Sequence, residues 1–175
     1  MRRVLVLVIL VALTLAGCTQ EKHYQKTLTV RSVFGNGDRI PKKYTCDGED
    51  VSPPLYIDGL GKNVKSLVII CEDPDAPGRV FTHWIAWNVQ VVNEIPENIP
   101  KSKEVIGPVR MVQGKNDFGK IGYSGPCPPS GVHRYYFRVF AIDTTLDGDF
   151  SREELLKAIE NHVLQYGEIY GVYSR

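Results

Sequence analysis

Two short stretches concentrate side chains able to hold a charged ligand. The first is Asp73-Pro74-Asp75-Ala76-Pro77, with His83-Trp84 a few residues further on. The second runs Gly122-Tyr123-Ser124-Gly125-Pro126-Cys127-Pro128-Pro129-Ser130-Gly131-Val132-His133-Arg134-Tyr135. An anion needs converging donors, and two imidazoles with backbone N–H groups around Gly125 form such a set. Asp73 suits an imidazole as partner, fixing which ring nitrogen carries the proton. The same carboxylate would alternatively balance a cationic amine. Tyr135 adds a hydroxyl on an apolar ring, and Trp84 is expected to form an aromatic wall.

Each residue has a plainer role to set beside this one. Asp75 reads equally as a carboxylate that caps backbone N–H groups in a turn. Arg134 alternates with His133 and Tyr135, so it faces the other side of a strand and suits a structural ion pair. His23 and His162 lie apart, one near the N-terminus and one on a predicted helix. Two histidines and a carboxylate also resemble a facial metal triad, and Cys127 or Ser130 beside His133 a hydrolase pair. Neither an H-E-x-x-H helix nor a G-x-S-x-G elbow accompanies them. The preferred reading is a binding site with no metal, no cofactor and no catalytic residue; a metal- or cysteine-dependent hydrolase is the alternative.

These stretches have to be positioned by strands. Leu28 to Phe34, Pro54 to Ile57, Ser66 to Cys71, Thr82 to Val89 and Arg134 to Ile142 carry strand-like patterns. Gly35-Asn36-Gly37-Asp38 is a turn signal. Along the last strand Tyr135, Phe137, Val139 and Ala141 share one face, and Tyr136, Arg138, Phe140 and Ile142 the other. One helix is expected near the end of the chain. Ser151 and Glu154 make a capping box, Leu155, Leu156, Ile159, Val163 and Tyr166 an apolar stripe, and Gly167 a stop. Strands without alternating helices argue for an antiparallel, mainly β fold with a peripheral helix. Prolines stiffen the two chemical stretches and glycines permit close backbone approach.

The chain has 175 residues, 43% hydrophobic and 23% charged, which suits one globular domain. A formal net charge of +1 makes no electrostatic case for nucleic acid. The N-terminus says more. Arg2 and Arg3 precede an apolar run from Val4 to Ala16, too short to span a bilayer comfortably. It ends Leu15-Ala16-Gly17-Cys18, which resembles the lipobox of prokaryotic lipoproteins. That resemblance implies a signal peptide over 1–17, lipid on the Cys18 sulfur, a lipidated tether over 18–26 and a folded domain over 27–175. An uncleaved anchor helix is the alternative, and both place the domain outside the cytoplasm at a cell membrane. Cys71 sits in an apolar strand and reads as a small hydrophobe. Cys46 and Cys127 lie in Gly/Pro-rich loops and are a candidate disulfide in an oxidising compartment, a pairing left open by the sequence.

The two chemical stretches together resemble the signature motifs of the phosphatidylethanolamine-binding protein family. Asp73 to Pro77 matches its Asp-Pro-Asp-Ala-Pro element, and Gly131 to Tyr135 its Gly-x-His-Arg-Tyr element. Tyr44-Thr45-Cys46-Asp47-Gly48, Ser52-Pro53-Pro54-Leu55, Asn116-Asp117-Phe118-Gly119 and the run from His162 to Arg175 are similar to the prokaryotic branch. The match extends from about Thr29 onward. It implies a large central antiparallel sheet packed on a smaller one. It also implies a pocket for phosphate-type anions or phospholipid head groups, formed by Asp73, His83, Gly125, Pro128, His133 and Tyr135. Members bind or inhibit kinases or proteases rather than act as established enzymes. The short loop around Cys127 departs from the eukaryotic branch, so kinase inhibition is not carried over.

Overall fold

Leu67 to Cys71 form an unbroken apolar run, and such a run is stable as a strand when both of its faces are covered. The computed structural model, which describes residues 24–175, places it in that setting. The signal peptide, Cys18 and His23 lie outside the described residues. The strands are β1 (Thr29–Arg31), β2 (Leu55–Asp58), β3 (Ser66–Asp73), β4 (Phe81–Val89), β5 (Glu94–Ile95), β6 (Glu104–Val105), β7 (Met111–Gln113), β8 (His133–Ile142) and β9 (Val163–Tyr173). One α-helix, α1 (Arg152–Ile159), lies between β8 and β9. A six-stranded antiparallel sheet has the order β6-β7-β4-β3-β8-β9, and a three-stranded sheet the order β1-β2-β5. This is the mainly β architecture, large sheet on smaller sheet, that the sequence predicts.

Every residue of β3 is buried, because the large sheet is covered on both sides. Between the sheets, Leu67, Ile69 and Cys71 pack with Phe137, Val139, Leu55 and Ile57. On the other face Val68, Ile70, Phe140 and Ile142 pack with Leu155 and Ile159 of α1. The alternation expected along β8 therefore sorts its side chains into the two cores. Each fully buried Leu, Ile or Phe contributes about 1.5–3 kcal/mol by leaving water. Beneath α1 the buried Glu72 carboxylate accepts from Arg152 Nε at 2.6 Å and pairs with Arg138 at 2.9 Å. The helix is thus pinned to the sheet by its first residue.

The helix itself is shorter than predicted. Its capping box is present, with Ser151 accepting from the Glu154 N–H, but it ends at Ile159. Val163 and Tyr166 belong instead to β9, which pairs with β8 along its whole length, from His133↔Tyr173 to Ile142↔Val163. Gly167 is no helix stop. It pairs with Val139, and a Cβ there would lie 2.6 Å from the Leu28 carbonyl oxygen, so it lets the N-terminal segment cross β9. His162 sits in the turn after α1, where Nδ1 hydrogen bonds to Asp143 at 2.8 Å. At the other end of the chain, Tyr24 packs on Phe140 and Tyr166, and Lys26 bridges to Tyr166. Residues 24–26, expected in the tether, are part of the folded body.

Candidate functional site

Three neighbouring strands of the large sheet bring the site together. Because β3 runs antiparallel to β4 and β8, its C-terminal end lies beside their N-terminal ends. Asp73 ends β3, His83 is near the start of β4, and His133 opens β8. All three side chains belong to buried residues, at 3%, 3% and 8% exposure. His133 Nδ1–H donates to Asp73 Oδ2 at 2.7 Å, and Asp73 Oδ1 accepts the Asp75 N–H at 2.8 Å. One carboxylate therefore orients the imidazole and folds the turn that follows it.

His83 reaches the site through a backbone irregularity. Cys71 pairs with Trp84 and Glu72 with Thr82, so one step on β3 matches two on β4, leaving His83 as the extra residue of a β-bulge. A bulge re-aims side chains at a strand end. Here it brings the His83 ring within 5.2 Å of the Tyr135 ring, edge-on. Its Nδ1–H donates to the Ser124 carbonyl at 2.7 Å, so the proton of the neutral ring is committed there. Burial lowers the His83 pKa below the ordinary histidine value, against the smaller raising effects of Ser124 and Asp73.

Tyr135 lies between the two imidazoles, with the His133 ring stacked at 6.5 Å. Its side chain is wholly buried, and its hydroxyl lies beside the Asp73 carboxylate and the Cys127 backbone without closing a well-formed hydrogen bond to either. Burial first, and the Asp73 charge second, hold its pKa well above the ordinary tyrosine value, so it stays a phenol and a donor. Asp73, His83, His133 and Tyr135 are thus one cluster.

Gly125 and Pro128 line it differently from expectation. Gly125 N–H donates to Asp50 Oδ1 at 2.6 Å, so it is not a free donor for an anion. Glycine is required there because a Cβ would stand 2.4 Å from the Tyr44 carbonyl oxygen. Pro128 is buried in the same segment. That segment is tied to the loop after Tyr44 by a Cys46–Cys127 disulfide, with the Cα atoms 5.4 Å apart. Cys127 consequently has no thiol to act as a nucleophile, and burial raises the Cys71 pKa so that it stays a thiol. Among the described residues no group of three His, Cys, Asp or Glu side chains is placed to hold a metal ion.

Trp84 is not a wall of the site. The bulge leaves it in the core, with its indole N–H donating to Gln113 Oε1 at 2.7 Å. The rings beside His83 are Phe81 and Phe118, at 5.3 and 5.4 Å, and Phe118 is 43% exposed. Asp75 caps no N–H of its own turn, a role that Asp73 takes, and is bonded instead to Arg134 of β8. It accepts from the Arg134 backbone N–H and pairs with the guanidinium, which holds its carboxyl at about 2. Asn116, whose role its sequence context does not single out, organises the loop. Its amide donates to the Gly122 carbonyl and to Ser124 Oγ, both at 2.9 Å, while Oδ1 accepts from Phe118 and Lys120. An Asn before Asp-Phe-Gly is a turn signal, and the buried amide is its reason. A separate groove of about 580 Å³, lined by Lys65, Asn88, Ile106 and Arg110 among others, includes none of the four cluster residues.

A two-layer antiparallel β fold that holds two histidines and Asp73 at one sheet end is the setting of a known family. The chain matches the family described as phosphatidylethanolamine-binding protein over residues 30–174, and it belongs to that family. A UPF0098 protein of Archaeoglobus fulgidus is 68% identical over 174 residues, covering 99% of this chain and 60% of the relative. The chain thus spans 60% of that relative's length. A UPF0098 protein of Pyrococcus horikoshii is 59% identical over 91% of this chain and 82% of its own. Two solved structures share the fold. A Chlamydia trachomatis phosphatidylethanolamine-binding protein homologue superposes with a TM-score of 0.77 at 37% identity, over 86% of this chain and 99% of that one. Escherichia coli YbcL gives 0.76 at 29% identity, over 85% and 99%.

Proposed function

We propose that this chain is an exported, lipid-anchored binding protein whose cluster at the end of the large sheet takes a phosphate-type anion, free or as a phospho-head-group. The observation that supports the reading is the convergence of His83, His133 and the buried Tyr135 hydroxyl, which closes no well-formed hydrogen bond although the Asp73 carboxylate stands beside it. A buried donor with a poorly formed hydrogen bond gains from a well-placed ligand oxygen, a full pairing being worth up to about 1–3 kcal/mol. The exposed Phe118 ring beside His83 suits an organic group next to the anion. Cys127, the nucleophile that the hydrolase alternative would need, is held in a disulfide. An inhibitory or regulatory action on a protein partner, of protease or kinase type, is compatible with such a module.

The anchor reading rests on the resemblance of Leu15 to Cys18 to a lipobox. Several acyl chains would hold the domain firmly, because one chain binds only marginally. The test of the site is a titration of the domain from Thr19 with phosphate and phosphoethanolamine, following histidine resonances by NMR. Saturable shifts at His83 and His133, lost in His133→Ala, are expected. Unmoved resonances up to millimolar ligand would sink the anion site.

A further inference from the structure

We infer that the ligand of this site brings its own proton. The cluster takes a phosphate that keeps a P–O–H, free or as a monoester, and discriminates against sulfate and phosphodiesters. The inference rests on the anion-binding reading above and narrows it to one ligand class. Its ground is how few protons the cluster has left to donate. A neutral imidazole carries a single N–H. That of His83 is given to the Ser124 carbonyl and that of His133 to Asp73 Oδ2, both at 2.7 Å. The backbone N–H groups of Asp75 and Gly125 are committed as well, to Asp73 Oδ1 at 2.8 Å and Asp50 Oδ1 at 2.6 Å. Each neutral ring therefore offers the lone pair of its Nε2, and Tyr135 its hydroxyl proton.

The charges point the same way. Asp73 is a buried carboxylate at 3% exposure, and the Asp117 carboxylate also acts on His83. Arg79 pairs with Asp117 at 3.1 Å and Arg134 with Asp75 at 2.6 Å, so both guanidiniums are already engaged. Burial opposes a second proton on His83. An anion with acceptor oxygens alone would set its charge against a buried carboxylate and its lone pairs against those of the imidazoles. A phosphate monoester with one proton fits instead. Its P–O–H donates to an imidazole lone pair, while a phosphoryl oxygen accepts from the Tyr135 hydroxyl. Its second ionisation falls at about 6, close enough to neutrality for the protonated form to be available. Sulfate has no such proton, and neither has the phosphodiester of a phospholipid. An ammonium would serve the lone pairs but give the Tyr135 hydroxyl nothing to donate to.

The test uses the wild-type full chain at pH 7, dissolved in a detergent free of phosphate. Two pairs of probes differ in the proton and hardly in shape: phosphate against sulfate, and ethyl phosphate against ethyl sulfate. Isothermal titration is expected to give each phosphorus compound a Kd about tenfold or more below that of its sulfur twin. A third pair, phosphoethanolamine against glycerophosphoethanolamine, separates a free monoester from the diester of a lipid head group. The monoester should bind more tightly by a similar factor. Equal Kd values within the first two pairs, or tighter binding of the sulfur compounds, would overturn the inference and leave the anion site standing. A diester that binds as well as its monoester would overturn it too. Failure of the underlying reading looks different, because then none of the probes binds at all.

Discussion

His83 has one ring N–H when neutral, and that proton is spent on the Ser124 carbonyl. To donate to an anion through Nε2 it must take up a second proton, which burial opposes. The proton and the anion should therefore bind together. Affinity for sulfate, a dianion throughout the range, should rise as pH falls from 7.5 through ~6.5 and below, the ordinary histidine value. Isothermal titration at several pH values would show it, and a flat profile would remove His83 from the donor set. Without ligand the sign for stability is opposite. A lowered folded pKa gives a contribution present above the unfolded value of ~6.5 and lost as pH falls through the folded one. Gly125→Ala should cost about 1–3 kcal/mol in a denaturant melt, because its Cβ meets the Tyr44 carbonyl at 2.4 Å. At this scale the sequence was a good guide to residue types and a poor one to roles. Asp73, His83, His133 and Tyr135 were all legible from two motifs. The committed N–H of Gly125 was not, because Asp50 lies 75 residues away. Nor was the burial of Trp84, because a bulge is a property of strand pairing.

The elements around the site were legible where one period dominated. The alternation of β8 and the apolar run of β3 translate directly into two-sided burial. The last helix was overextended, because Leu155, Ile159, Val163 and Tyr166 fit a helical stripe and a strand continuation at once. Pairing with ten residues of β8 decides for the strand from Val163 onward. The capping box was read correctly from Ser151 and Glu154, and Ser151→Ala should cost about 1 kcal/mol. The Cys46–Cys127 disulfide spans a sequence separation of 81 residues and closes the segment that carries Gly125 and Pro128. Replacing both cysteines by serine should cost about 4.5 kcal/mol in the chain-entropy account. It should also weaken anion binding, since the wall of the site loses its tie. Unchanged melting of that double variant under oxidising conditions would show that the bond does not form in solution.

At the scale of the whole molecule, the family and the layered architecture were readable because two long motifs and the strand pattern agree. The extent of the body was less so. Tyr24 to Lys26 look polar and tether-like in sequence, and only the fold reveals the aromatic pocket that Tyr24 fills. Replacing Cys18 by serine should release the domain from membranes or block its processing. Retention of the variant in the membrane fraction would favour an uncleaved helix. The stability of the entire domain also offers the most direct test of the central claim, that the buried Tyr135 hydroxyl is a ligand donor. The measurement is the thermal midpoint of Tyr135→Phe beside the wild type, with and without phosphate. Removing a buried hydroxyl that closes no well-formed hydrogen bond should leave the ligand-free domain as stable or raise its midpoint by about 2–4 °C per kcal/mol gained. Phosphate should then raise the wild-type midpoint and leave that of the variant almost unmoved. A variant that melts well below the wild type, yet is still stabilised by phosphate to the same degree, would contradict the account.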